Sequence, residues 1–262
     1  MMEVILLQEN SKRLIDEFFR ISKKGWIKSS SKSFGSVGLT FEKELGKSQD
    51  SLYFPDYYGT EIKCTTHYSK YPLYLFTLAF DGPTFPEINR IVEKYGYYDK
   101  DYPNKKVLYE KLSCINKTVI NDKYKLKLQI DKTEEKLFLC VYNLYDELIE
   151  KESFVYLDSI RNHLMLKLNK LAIVKAFKTK KNKEDYFRYY KMDIYSIKSF
   201  ETFLNLLETG IIEVSLIARI GKSGNDKGRH RNKNMVFNMK KENIDKLFEK
   251  TFSSDSKSFT FL

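Results

Sequence analysis

Hydrophobic positions recur along the chain with two different periods, and the switches between them outline the elements. Over residues 3–24, Leu6, Leu7, Leu14, Ile15, Phe18 and Phe19 fall near one side of a 3.6-residue spiral, which predicts a helix. Ser33-Phe34-Gly35-Ser36-Val37-Gly38 is a turn-rich break, and residues 39–45 read as a short helix stopped by Gly46. Residues 57–66 and 73–80 are β-rich runs separated by Lys70, Tyr71 and Pro72, and are expected to be neighbouring strands of one sheet. A second helix is expected over 85–95, followed by a loop over 96–104 dense in Tyr, Asp and Lys.

Farther along, the period changes to two. Lys123, Lys125, Lys127 and Gln129 alternate with Tyr124, Leu126, Leu128 and Ile130, the mark of a strand with one wet face. The runs 136–143 and 154–158 supply partners for a meander. Residues 171–180 and 186–195 form an expected hairpin turning at 181–185. An amphipathic helix over 196–209 stops at Gly210, and an apolar strand over 211–220 leads into a basic loop. The sum is a mixed α/β fold with helices flanking a central β-sheet, with no internal repeat and no obvious linker.

Charge sharpens this picture. The 262 residues hold 46 Lys+Arg against 35 Asp+Glu, a net charge of +11. Residues 175–198 contain 8 basic and 3 acidic side chains, and residues 218–241 contain 8 basic and one acidic, Asp226. The excess therefore lies in the last third of the chain, as a phosphate-backbone footprint requires. A hydrophobic share of 42% excludes disorder, and 11 Gly with 5 Pro exclude a collagen-like chain. Cys64, Cys114 and Cys140 are too few and too scattered for a disulfide scaffold or a zinc knuckle, and the odd count fits a reducing compartment. With no signal-peptide core and no span-length apolar run, a soluble cytoplasmic protein is expected.

The chemistry concentrates in Pro55-Asp-Tyr-Tyr-Gly-Thr-Glu-Ile-Lys63. Glu61 and Lys63, two apart on a strand, point to one side, and Asp56 enters that side from the preceding bend. Two carboxylates beside an ammonium can hold Mg²⁺ through hard oxygen ligands, and Lys63 can orient or help deprotonate a water attacking a phosphodiester. The plain alternative is an exposed same-face ion pair worth less than about 1 kcal/mol. Gly46-Lys47-Ser48 and Gly221-Lys222-Ser223 imitate the end of a nucleotide-binding loop, but Phe41 and Leu216 occupy the required glycine positions. His67, four residues after Lys63, could approach the cleft but is expected to be structural, His163 is assigned no role, and Trp26 and the tyrosine pairs 57–58, 97–98 and 189–190 are expected to pack rather than stack on bases.

Gly35-Ser-Val-Gly38-Leu-Thr40-Phe41-Glu42-Lys-Glu-Leu45-Gly46, then Pro55-Asp56, then Glu61-Ile62-Lys63, resembles the active-site region of the MutH-like branch of the PD-(D/E)XK nucleases, and most of all the MvaI/BcnI restriction endonucleases. The block 210–221, the basic loop and the apolar strand over 235–239 resemble their recognition segment. The resemblance implies a restriction-endonuclease-like core with a recognition lobe and a Mg²⁺-dependent type II enzyme that cuts double-stranded DNA at a short site. Asp56 and Glu61 would be metal ligands, Lys63 the water-positioning base and Glu42 a further acid on the facing helix. Relatives act as monomers, nicking one strand and then the other, and a cognate DNA methyltransferase would be the functional partner. Arg219, Arg229, His230, Arg231 and Asn234 would meet base edges or nearby phosphates, while Lys222, Lys227 and Lys233 would grip phosphates. Relatives carry a His-Asp-His-Gly type run where this chain reads Arg229-His-Arg-Asn-Lys-Asn234, so the target sequence does not transfer. A catalytic lobe over 1–115 and a DNA-recognition lobe over 116–262 are expected, or one intertwined two-lobed domain. A MutH-like nicking repair enzyme needing a partner, and a DNA-binding module without catalysis, are the alternatives.

Overall fold

The structure, a computed structural model, describes residues 2–33, 35–46 and 55–254, with side chains from residue 11 onward. The side chains of Leu6 and Leu7, all of Phe34, and the Gly46-Lys47-Ser48 motif beyond Gly46 lie outside what the structure describes. In chain order come α1 (Met2–Ser22), β1 (Ile27–Lys28), α2 (Ser36–Glu44), β2 (Glu61–Thr66), β3 (Leu73–Leu78), α3 (Glu87–Tyr95), β4 (Tyr97–Tyr98) and β5 (Lys106–Leu112). Next are β6 (Thr118–Ile120), β7 (Tyr124–Asp131), β8 (Lys136–Asn143), β9 (Leu148–Glu150), β10 (Phe154–Tyr156) and α4 (Leu157–Leu168). Last come β11 (Lys170–Lys181), β12 (Glu184–Ile197), α5 (Phe200–Glu208), β13 (Ile212–Ile220), β14 (His230–Met239), α6 (Ile244–Leu247) and β15 (Phe248–Ser253). The fold is mixed α/β.

The chain separates into two compact units built from interleaved segments: residues 1–71, 165–198 and 248–262, and residues 72–164 and 199–247. Along the chain the segments of the two units interleave. The physical reason is pairing: β11 lies parallel to β2, Leu171 opposite Glu61 through Ala176 opposite Thr66, which draws a late segment into the first unit.

The first unit holds one sheet ordered β1-β12-β11-β2, with β15 also on β12. One face of it is covered by apolar side chains spaced three and four apart on α1, namely Leu14, Phe18 and Ile21, together with Phe41 of α2. They pack on Ile62, Ala172, Val174, Ala176, Phe187, Tyr189, Met192 and Ile194. The Tyr189 hydroxyl donates to the Val37 carbonyl at 2.7 Å and ties α2 to the sheet.

The second unit holds two five-stranded sheets, one ordered β3-β14-β13-β5-β4 and one ordered β10-β8-β7-β6 with β9 on β8. The alternation of β7 buries Leu126 and Leu128 and leaves the lysine row on the wetter face, as expected. β3 pairs with β14 and not with β2, so the two β-rich runs of residues 57–80 are not neighbours. His163 sits in α4 against Phe76, ring centroids 5.3 Å apart. A buried ionic cluster pins α3: Arg90 donates to Glu87 at 2.5 Å, to Glu150 at 2.6 Å and to Ser153 at 2.9 Å. Lys94 and the Tyr95 hydroxyl complete the shell of Glu150. Two helix starts also move relative to expectation. α2 begins inside the turn-rich break, at Ser36, and α5 begins at Phe200 because β12 runs on to Ile197 and Ser199 accepts from the Thr202 amide as an N-cap.

Candidate functional site

The approach to β2 is a tight reversal. Tyr57 and Thr60 exchange both backbone hydrogen bonds, at 3.0 and 2.9 Å, around Tyr58 at φ 42° and Gly59 at φ 81°. Two consecutive left-handed residues make a type I′ hairpin turn, and glycine at the second removes the Cβ penalty. The turn folds Asp56 back along β2, the edge strand of its sheet, where the Oδ2 atom accepts from the Ile62 amide at 3.0 Å. An otherwise open strand edge is thereby capped by a carboxylate.

Glu61 is buried, 5% exposed. Its Oε1 accepts from Lys63 Nζ at 3.0 Å, with Lys167 Nζ of α4 at 3.9 Å, while its Oε2 is buried without a hydrogen-bond partner. Burial pushes the Glu61 carboxyl above its usual range; Lys63 opposes this, Asp56 adds to it, and Lys167 opposes it again. The charge of Asp56 is thus felt at Glu61. A buried carboxylate oxygen with no donor costs free energy, and a hard cation is one species that would satisfy it.

Asp56, Glu61 and Lys63 are brought together. Glu42, half-buried on α2, lies toward the other side of β2: the Cys64 thiol is pushed well up by burial first and then by Glu42 and Asp56. No group of three His, Cys, Asp or Glu side chains able to hold a metal forms among the described residues. A cation at this place would take two carboxylates from the protein and fill its remaining positions with water or substrate oxygen, which suits Mg²⁺. Lys167 was not legible in the sequence; it lies 104 positions after Lys63, and only the parallel β2/β11 pairing brings α4 near. The thiols of Cys64, Cys114 and Cys140 are all free.

His67 continues the line of β2 but engages an aromatic group, its Nδ1 2.8 Å from the Tyr190 hydroxyl. Of the tyrosine pairs, Tyr57 and Tyr58 pack edge to face at 4.8 Å, and Tyr189 is buried in the core.

The other candidate surface lies on β13 and β14 of the second unit. His230 through Asn234 belong to strand β14 and not to a loop, so the expected basic loop shortens to residues 221–229. That loop closes tightly: the Gly221 amide donates to Arg229 at 2.9 Å and its carbonyl accepts from Gly228 at 2.8 Å. A Cβ at Gly221 would come within 2.1 Å of the Asp226 carbonyl oxygen, so glycine is required there. Lys222 pairs with Asp101 at 2.5 Å, and Lys227 is exposed. Arg219 and Arg231 stand directly opposite each other across the strands, both exposed, with Asp226 3.3 Å from Arg231. A register shift beside Ile217 leaves Lys233 as the extra residue, and Asn234 takes φ 53°. Loss of surrounding water, then Arg219 and Arg231, lower the Lys233 ammonium from its usual range. Like charges set opposite one another are unfavourable without a counter-anion. Arg219, Lys222, Lys227, Arg229, His230, Arg231, Lys233 and Asn234 therefore gather on one strand pair and its loop, apart in sequence from the carboxylates.

Among the described residues no helix is long and apolar enough to cross a membrane. No curated protein matches the chain significantly. Solved structures do match. Restriction endonuclease MvaI in complex with its cognate DNA substrate is similar over 93% of this chain and 96% of that one, with TM-score 0.83 and 25% identity. MvaI in the absence of DNA is similar over 93% and 97%, with TM-score 0.59 and 23% identity. The profile of the MvaI/BcnI restriction endonuclease family spans residues 15–248, from the middle of α1 to the start of β15 and across every candidate residue named above. The chain belongs to the MvaI/BcnI restriction endonuclease family.

Proposed function

We propose that this type II site-specific endonuclease hydrolyses duplex DNA with Asp56 and Glu61 as the protein ligands of one or more Mg²⁺ ions and Lys63 as the residue that orients the attacking water. The observation that carries the reading is the buried, unpartnered Oε2 of Glu61, whose other oxygen, Oε1, accepts from Lys63 at 3.0 Å. Bound Mg²⁺ would stabilise charge developing on the scissile phosphate. Lys63, held by Glu61, presents its ammonium where a water can be oriented for attack. Asp56 is fixed by the Ile62 amide, so its second oxygen keeps a defined direction. Glu42 acts as an outer acid on α2. Arg219, Arg229, His230, Arg231 and Asn234 read base edges or adjacent phosphates, and Lys222, Lys227 and Lys233 hold the backbone. The enzyme works as a monomer in the cytoplasm, and a methyltransferase of the same system protects host sites.

Plasmid DNA with Mg²⁺ tests this. Discrete fragments are expected, with Asp56→Ala and Lys63→Ala abolishing cutting while sparing binding. Full activity in either variant overturns the catalytic assignment, and cutting that depends on an added protein favours a MutH-like nicking enzyme instead.

A further inference from the structure

The face of the first unit's sheet opposite its apolar core carries Glu61 and Lys63 of β2, and the same face continues across β11 and β12. Ile173, Lys175 and Phe177 alternate with the core residues Ala172, Val174 and Ala176, so they point outward beside β2. On β12 a register shift stands opposite the 175/176 step: Lys191 pairs with Lys175, Tyr189 pairs with Ala176, and Tyr190 is the extra residue. The core side of β12 accordingly switches from Phe187 and Tyr189 to Met192 and Ile194. A bulge of this kind re-aims side chains. Here it lets two consecutive residues, Tyr190 and Lys191, face outward together.

Two consequences meet at this point. Tyr190 stacks on Phe177, ring centroids 4.2 Å apart, and receives His67, whose ring lies 5.3 Å from Phe177. Tyr68, beside His67 at 4.9 Å, is 86% exposed. Next to this ring cluster, Lys175 and Lys191 stand directly opposite across the strands, a like-charge pair that disfavours the fold. Asp193, at 3.8 Å from Lys191, is shared with Lys250 and Ser253, and no acid pairs with Lys175 among the described residues. From Lys63 to His67 is four residues, about 13 Å along a strand, or roughly four nucleotide steps of a duplex.

We propose that Lys175 and Lys191, backed by the His67–Phe177–Tyr190 ring cluster, form a subsite for the phosphodiester backbone of DNA flanking the scissile bond. The proposal rests on the DNA-cutting reading above. Both ammonium groups would converge on phosphate oxygens, and the exposed ring edges would pack against the deoxyribose beside them. Such a subsite reads no sequence; it fixes the strand relative to Lys63.

Anisotropy titration of a 30-base-pair duplex of arbitrary sequence, without Mg²⁺ and over a series of salt concentrations, tests it. The double variant Lys175→Ala/Lys191→Ala should bind more weakly at low salt, with a log–log salt slope shallower by about 1.8 for two lost contacts. It should also melt at a higher temperature than the wild type when DNA is absent, because the like-charge pair is relieved. The charge-matched control Lys12→Ala/Lys23→Ala lies on and just beyond α1, which covers the opposite face, and should leave the slope unchanged. Tyr190→Ala should lower affinity with the slope intact. Equal slopes in the two double variants, or no change in either, overturn the subsite. Salt-independent binding by the wild-type protein is a different failure, which removes the DNA footprint itself.

Discussion

Replacing Glu150 with glutamine probes how much the ionic cluster on α3 contributes to stability. Glu150 is 6% exposed and Glu87 1%. Burial alone would raise the Glu150 carboxyl, but hydrogen bonds from Arg90, Lys94 and Tyr95 outweigh it, and the group falls from its ordinary 4.5 to about 2. That depression corresponds to about 3 kcal/mol of native-state stability. Because the folded value lies below the unfolded one, the stabilisation is complete above pH ~4.5 and disappears as pH falls toward 2, with about half gone near pH 3.2. Glu150→Gln keeps the shape and loses the charge, leaving Glu87 as the carboxylate beside Arg90. Urea denaturation followed by circular dichroism at pH 7, 4 and 3 should show the variant less stable by about 3 kcal/mol at pH 7, with the gap closing on acidification. A gap below about 1 kcal/mol, or one independent of pH, would show that the cluster behaves as a solvated surface pair.

Gly59→Ala places a Cβ on a φ of 81° and should destabilise the turn by about 1 kcal/mol while lowering kcat more than DNA affinity, since the turn aims Asp56; plasmid cleavage beside a binding titration reads both. Tyr189→Phe removes the 2.7 Å bond to the Val37 carbonyl and should cost about 1–2 kcal/mol by thermal denaturation. An Arg219→Ala/Arg231→Ala variant should lose affinity for duplex DNA with a salt slope shallower by up to about 1.8, and an unchanged slope would mean that neither side chain touches a phosphate. EDTA should stop cutting and leave the far-ultraviolet circular dichroism unaltered; a protein that unfolds on chelation would contradict a purely catalytic ion.

Elements whose register is set locally could be read from the chain. The strict alternation in β7 has no helical alternative, and the Asn182-Lys183 turn between two β-rich runs leaves little choice but the β11–β12 hairpin. The candidate pair was legible for the same reason: Glu61 and Lys63 are two apart on one strand, and the physics that aligns them is local. What failed depends on distant partners. Residues 57–66 and 73–80 look like adjacent strands, yet β2 has its partner at residues 171–176 and β3 at 235–239. The bulge that turns out Tyr190 and Lys191 is invisible without knowing what stands opposite them. His230 to Asn234 read as loop because a row of charges masks β-propensity; the ladder to β13 overrides it.

The parallel pairing of β2 with β11 also bears on when the sheet around Glu61 can assemble. During synthesis the carboxylates emerge early, but the sheet that supports them cannot close until residues near 181 have left the ribosome, and the 193–197 stretch of β12 gains its second neighbour only once β15 follows, near residue 253. Long-range pairings of this kind form slowly. A nascent or prematurely terminated chain therefore carries Asp56, Glu61 and Lys63 without the sheet that sets their positions.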